Sequence, residues 1–160
     1  IYLSQTRRYA GIMDALSEAN VPVSNVRQID YHTVFGSPVP STSSYKSYEE
    51  LFFPVDYTAV IGFNDLQSYS AMEILKERGY RIPEDISLIS FDHLRKTHTY
   101  LPPLTSIADN TDKSIADTAV SILLDKIKNS DSKFTGAVLP VTIYDGHTTG
   151  PVNKAFETSF

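Results

Sequence analysis

Arg8, Tyr31, Asn64 and Asp92 are the side chains of this sequence best suited to gripping a small polyhydroxylated molecule. A carboxylate accepts from two adjacent hydroxyls, an amide both donates and accepts, and a guanidinium donates through a rigid fork. An aromatic ring can then cover the apolar face of a sugar or base. Asn64 follows the apolar run Thr58-Ala59-Val60-Ile61-Gly62-Phe63, and Asp92 follows Ile86-Ser87-Leu88-Ile89-Ser90-Phe91. Taken singly, an Asn or Asp after a strand is more often a turn former or a helix cap. Asp65, at the start of a helical stretch, is best read as such a cap.

Other chemistries find little support. Asp65 and Asp92 are placed to pair as acid and base, which keeps a sugar-modifying enzyme open as a minor reading. His32, His93, His98 and His147 are dispersed, without an i,i+4 pair or a His-Glu-x-x-His signature, so no metal site is expected. There is no Gly-x-Ser-x-Gly elbow, and the seven glycines stand singly, without a phosphate-binding loop. No cofactor is expected. The absence of cysteine excludes disulfides, thiolate ligands and thiol nucleophiles. The net charge is −5 and, apart from Arg7-Arg8, the basic residues are scattered, so the chain lacks a nucleic-acid-binding face. Residues 1–8 show no basic region leading into an apolar run, and no stretch approaches the ~18 apolar residues of a membrane span.

The elements that must position these residues follow from periodicity. Thr6 to Asn20 predicts a helix with Ile12, Leu16 and Ala19 on one face, capped by Ser4 or Thr6 and ending before Pro22. Val26 to Asp30 predicts a short strand, residues 33–44 a long loop, and Tyr45 to Phe53 a short helix whose Tyr45, Tyr48 and Phe52 pack inward. The run 58–63 predicts a strand buried on both faces. A helix over Leu66 to Arg78 follows, with Gly79 as its C-terminal cap. Then come a strand at 86–91, a helix over Asn110 to Lys128 with an Ile115, Ala119, Ile122, Leu123, Ile127 stripe, and a strand over Ala137 to Tyr144. This alternation predicts an α/β fold, a Rossmann-like parallel sheet with helices on both faces. In such sheets ligands sit outside the carboxyl ends of the strands. Asp30-Tyr31, Asn64-Asp65 and Asp92 should therefore share one edge. The loop Thr97 to Pro103, with two prolines and large apolar groups, reads equally as a subunit contact or as a buried loop.

Three segments, in order and spacing, resemble the effector-binding domain of the LacI/GalR family of bacterial repressors. They are Ala59-Val60-Ile61-Gly62-Phe63-Asn64-Asp65, the run from Leu75-Lys76-Glu77-Arg78-Gly79 through Ile82-Pro83-Glu84-Asp85-Ile86 to Phe91-Asp92, and Pro102-Pro103-Leu104-Thr105-Ser106-Ile107. Arg8-Tyr9-Ala10-Gly11 is similar to the family's Arg-x-x-Gly helix start, and Leu139 to Tyr144 to its last strand. The resemblance covers roughly residues 2–149.

It implies a periplasmic-binding-protein-like fold of two lobes. Residues 1–149 would supply mainly the C-terminal lobe and residues 150–160 a polar tail; the N-terminal lobe and the DNA-binding head lie outside the chain. It further implies Ser4, Arg8, Tyr31, Asn64 and Asp92 in the ligand cleft, and Tyr69, Tyr100 and Leu101 at a homodimer interface. The implied function is that of a cytoplasmic repressor whose effector, a sugar or similar metabolite such as a purine, shifts the angle between lobes and so the spacing of the DNA-binding heads. DNA would be met only through the absent head, and no membrane is involved. The alternative within the same fold is an exported, monomeric sugar-binding protein of a transporter. Two departures stand out: His93 where the family often has a second Asp, and Asp145-Gly146-His147-Thr148-Thr149 in place of an Arg-x-Ser/Thr-Thr ending.

Overall fold

The computed structural model of the chain describes residues 3–29, 51–94, 99, 101–109, 114–129 and 136–153. In chain order the elements are α1 (Leu3–Glu18), a 3-10 turn (Val23–Asn25), β1 (Ala59–Ile61), α2 (Asp65–Glu77), β2 (Ser87–Phe91), β3 (Thr105–Asp109), α3 (Ile115–Lys128) and β4 (Val141–Tyr144). Among the described residues the strands form one sheet in the order β1-β2-β3-β4. The first three are parallel, with Val60 beside Leu88 and Ile89 beside Thr105, while β4 runs antiparallel to β3. The expected α/β fold is thus present, its sheet mostly parallel with an antiparallel edge.

The core forms where α2 lies on β2. Ala71, Met72 and Ile74 of α2 pack with Leu88, Leu104 and Phe52, all buried, and Leu75 of the same helix is fully buried as well. Both ends of α2 are specified locally. Asn64 is extended, and its side chain accepts from the backbone N–H of Gln67. Asp65 in the first turn complements the helix dipole. Gly79 adopts a φ of 86°, with its N–H on Lys76 O and the N–H of Tyr80 on Leu75 O, the left-handed ending that favours glycine. Gly62 has a different duty: a Cβ there would collide with Ser68 Oγ, which itself bonds Ser90 Oγ at 2.7 Å between α2 and β2.

Several expectations are corrected. Val26 to Ile29 is extended but forms no strand among the described residues. The segment is held by Arg27, whose guanidinium donates to the Phe52 and Pro54 carbonyls, pairs with Asp56 and lies over the Tyr57 ring. A β-type sequence without a neighbouring ladder stays single. Helix α1 spans Leu3–Glu18, so positions 4 and 6 lie within it and not at its N-cap. Leu51 to Phe53 are not helical. Ala59 and Ile61 of β1 are exposed on the face away from α2, so that strand is not buried on both sides. Residues 30–50, which include the predicted long loop, and residues 110–113 lie outside the described residues.

The chain after β4 passes beneath the start of β3 and returns to β2. Gly146 makes the crossing, where a Cβ would run into the Leu104 backbone. Beyond it, Thr148 is buried and stitches two strands: its Oγ1 donates to Leu88 O (2.6 Å) and accepts from Thr105 N–H (2.9 Å), while its carbonyl accepts from Leu88 N–H (2.7 Å). Ser87 and Gly150 continue the seam, and Asn153 reaches Asp85. The start of the predicted polar tail is therefore tied to the sheet.

Helix α3 is the exception to this packing. Ser114 caps it by accepting from Asp117 N–H, yet none of its residues is buried. Ile115, Ala119 and Ile122 line a groove of about 280 Å³ with Ala137 and Leu139. A second stripe, Val120, Leu123 and Ile127, stands 55, 58 and 69% exposed.

Candidate functional site

Strands β1 and β2 end side by side in the same pattern, Phe63-Asn64 and Phe91-Asp92, and helix α1 crosses this edge through Arg8. The Arg8 guanidinium lies over both phenyl rings, 4.9 Å from the Phe63 centroid and 4.7 Å from that of Phe91. The two rings hold the cation by their π faces and fix the direction of its fork. Nη1 donates to Phe63 O at 2.6 Å, and Nη2 donates to Asp92 Oδ1 at 2.7 Å. The ion pair is half open to water, Arg8 at 28% and Asp92 at 43% side-chain exposure. Pairs so exposed contribute little to stability.

Of the predicted site residues, the structure brings Arg8 and Asp92 into contact and sets Asn64 next to Phe63, whose carbonyl Arg8 holds. Ser4 falls in the first turn of α1, and its side chain lies outside the described residues. Tyr31 lies outside the described residues. Asn64 bears out the cap reading: its Oδ1 accepts from Gln67 N–H at the start of α2, while its Nδ2 finds no partner among the described residues. Asp65 does not cap the helix. It sits one residue further in, 1% exposed, and accepts from Ser106 Oγ at 2.7 Å and from Leu94 N–H at 2.6 Å.

The backbone at the site is unusual. Asp92 and His93 adopt φ values of 97° and 48°, a region that non-glycine residues seldom occupy. Three successive amides are held there: Asp92 N–H donates to Ile107 O, His93 N–H to Ser106 Oγ, and Leu94 N–H to Asp65. The His93 imidazole stacks on Tyr144 of β4, centroids 3.9 Å apart and planes 10° from parallel, and Tyr144 Oη donates to Asp109 O.

Phe63, Phe91, Ser106 and Tyr144 were not singled out from the sequence. The repeated Phe-Asn and Phe-Asp endings of neighbouring strands were the available signal for the two phenylalanines. Tyr69 donates its hydroxyl to Pro102 O, which ties α2 to the 101–103 segment. Leu101 is half-buried and Pro102 and Pro103 are exposed, while Tyr100 lies outside the described residues. Among the described residues no group of acidic or histidine side chains could hold a metal, and no helix is long and apolar enough to cross a membrane.

Comparison with known proteins finds relatives in both sequence and fold. The HTH-type transcriptional repressor PurR of Aliivibrio salmonicida is 37% identical over 123 residues, spanning 76% of this chain and 35% of its own length. A LacI family transcriptional regulator from Enterococcus faecium, solved with bound ribose, superposes with a TM-score of 0.69 at 25% identity, over 93% of this chain and 52% of its own. A LacI-type regulator from Bifidobacterium animalis gives a TM-score of 0.70 at 25% identity, over 92% and 51%. The chain thus spans about a third of the length of its curated relatives and half that of the solved structures. A family model, the periplasmic binding protein-like domain, matches residues 3–149, and the chain belongs to that family.

Proposed function

We propose that the chain is the effector-sensing and dimerising part of a transcription repressor, in which a sugar bound at the Arg8–Asn64–Asp92 edge controls operator binding from a distance. The observation that carries this reading is the Arg8–Asp92 pair, set over two strand-terminal phenylalanines where a parallel sheet presents its ligands. A fixed donor fork beside a carboxylate whose second oxygen has no partner among the described residues suits adjacent hydroxyls of a small sugar. Ribose, held by the Enterococcus regulator, is the first candidate. The exposed stripe of α3 supports the view that the chain is one lobe of two, since a helix so apolar on its outer face is stabilised by packing against something. In this reading the homodimer forms through Tyr69 and the Tyr100-Leu101 loop, operator contact belongs to a head outside this chain, and the protein works in the cytoplasm.

The enzyme alternative required Asp65 to act with Asp92. Both Asp65 oxygens are engaged in the interior, by Ser106 and Leu94, so it has no free oxygen for a substrate. Reversible binding without turnover is the expected behaviour.

A thermal-shift screen against sugars, nucleobases and sugar phosphates tests the proposal. Ligand at 100 times its Kd stabilises by about 2.7 kcal/mol, or about 5–10 °C for a domain of this size. Asp92→Ala is expected to fold and to lose this shift. Full retention of the shift in that variant removes Asp92 from the site.

A further inference from the structure

We infer that Asp65, buried behind the ligand edge, is the positioning residue of the site: its carboxylate clamps the turn 92–94 and so aims Asp92 at Arg8. The inference rests on the proposed ligand edge but concerns a residue that touches no ligand.

The turn after β2 bends back across β3 through two consecutive left-handed residues, neither of them glycine. Such a conformation persists only where its surroundings over-determine it. Here two of the restraints lead back to one side chain. Oδ2 of Asp65 accepts from Leu94 N–H at 2.6 Å, and Oδ1 accepts from Ser106 Oγ at 2.7 Å. Ser106 Oγ, itself 0% exposed, takes the N–H of His93 at 2.9 Å. The carboxylate thus holds Leu94 directly and His93 through one hydroxyl, and it unites the start of α2, the turn after β2 and the middle of β3. The stack of His93 on Tyr144 closes the turn from the β4 side. A carboxyl group is suited to this task because it can accept at both of its oxygens. An amide in its place would satisfy Leu94 through its oxygen and present N–H groups to Ser106, whose hydroxyl hydrogen would then lose its acceptor. Asp92 is the residue immediately before the clamped pair, so loosening residues 93 and 94 releases the carboxylate that faces Arg8.

Asp65→Asn and Ser106→Ala in the full chain test this. Amide hydrogen exchange at His93 and Leu94 should rise by about tenfold or more, while that of Leu75 and Leu88 in the core rises by less than about threefold. The Arg8 Nε–H resonance should move to the position of a freely rotating guanidinium. Affinity for ribose, measured by calorimetry, should fall by about tenfold with the core still protected. Uniform acceleration at all four amides would show Asp65 to be a general stability element and overturn the inference. An unmoved Arg8 resonance would overturn it equally. If the unaltered chain fails to bind ribose, the effector proposal is what suffers; the exchange pattern and the Arg8 resonance still decide the clamp.

Discussion

Replacing Thr148 by Val keeps the shape of a buried side chain and removes a hydroxyl with two partners. Thr148 Oγ1 donates to Leu88 O at 2.6 Å and accepts from Thr105 N–H at 2.9 Å. Valine leaves the Thr105 N–H with no acceptor at the start of β3. A buried donor so orphaned costs about 1–3 kcal/mol, and the lost bond to Leu88 adds about 1 kcal/mol. The expected destabilisation is about 3 kcal/mol, a fall in Tm of about 6–12 °C for a domain of this length. Thr148→Ser keeps the hydroxyl and removes one methyl, about 1 kcal/mol and a Tm change of about 2–4 °C. Calorimetric melting of both variants beside the unaltered chain separates the two terms. Equal losses for Val and Ser would mean that packing carries the seam, and the hydrogen-bond reasoning would be wrong.

Gly62→Ala places a methyl group against Ser68 Oγ and disturbs its bonds to Ser90 and Asn64, so a loss of about 3 kcal/mol is expected in urea unfolding. Burial pushes the Tyr57 phenol from its ordinary 10 up to about 12. Because the folded state favours the protonated phenol, this contribution is intact below pH 10 and is lost as pH rises from 10 to 12; Tyr57→Phe should show a shallower alkaline fall in stability. Hydrogen bonds from the Arg81 side chain and backbone hold the Asp85 carboxyl at about 2. That stabilisation is present above pH ~4 and fades as pH falls towards 2. In Arg81→Ala, carbon-detected NMR titration should find the Asp85 carboxyl raised part of the way towards its ordinary value, since the backbone N–H of residue 81 and the Asn153 amide still donate to it.

Much of the site could be read in the sequence because apolar runs of strand length end in polar residues, and such endings converge on one edge of a parallel sheet. Asn64 and Asp92 follow from that rule alone, and the helical spacing of Tyr69, Met72 and Leu75 marks a side of α2 that turns inward. Strand β3 escaped notice because its buried positions, Thr105 and Ser106, are polar; they earn burial through Thr148 and Asp65, partners 43 and 41 residues away. Asp65 shows the limit most clearly. A carboxylate at the start of a helix looks like a cap, and only the approach of β3 and the turn after β2 reveals it as an interior acceptor. Val26 to Ile29 erred the other way: local β propensity was present, but a strand needs a neighbour.

The seam at Thr148 also orders events in time. Its partner Leu88 is 60 residues earlier in the chain. At 5–20 residues per second, a ribosome reaches Thr148 about 3–12 s after Leu88. During that interval the first three strands can assemble, but the Thr105 amide has no Thr148 hydroxyl to meet. The sheet is sealed only when this late segment arrives, so a pause in translation between residues 109 and 145 would prolong the life of a nascent chain with its β3 edge open.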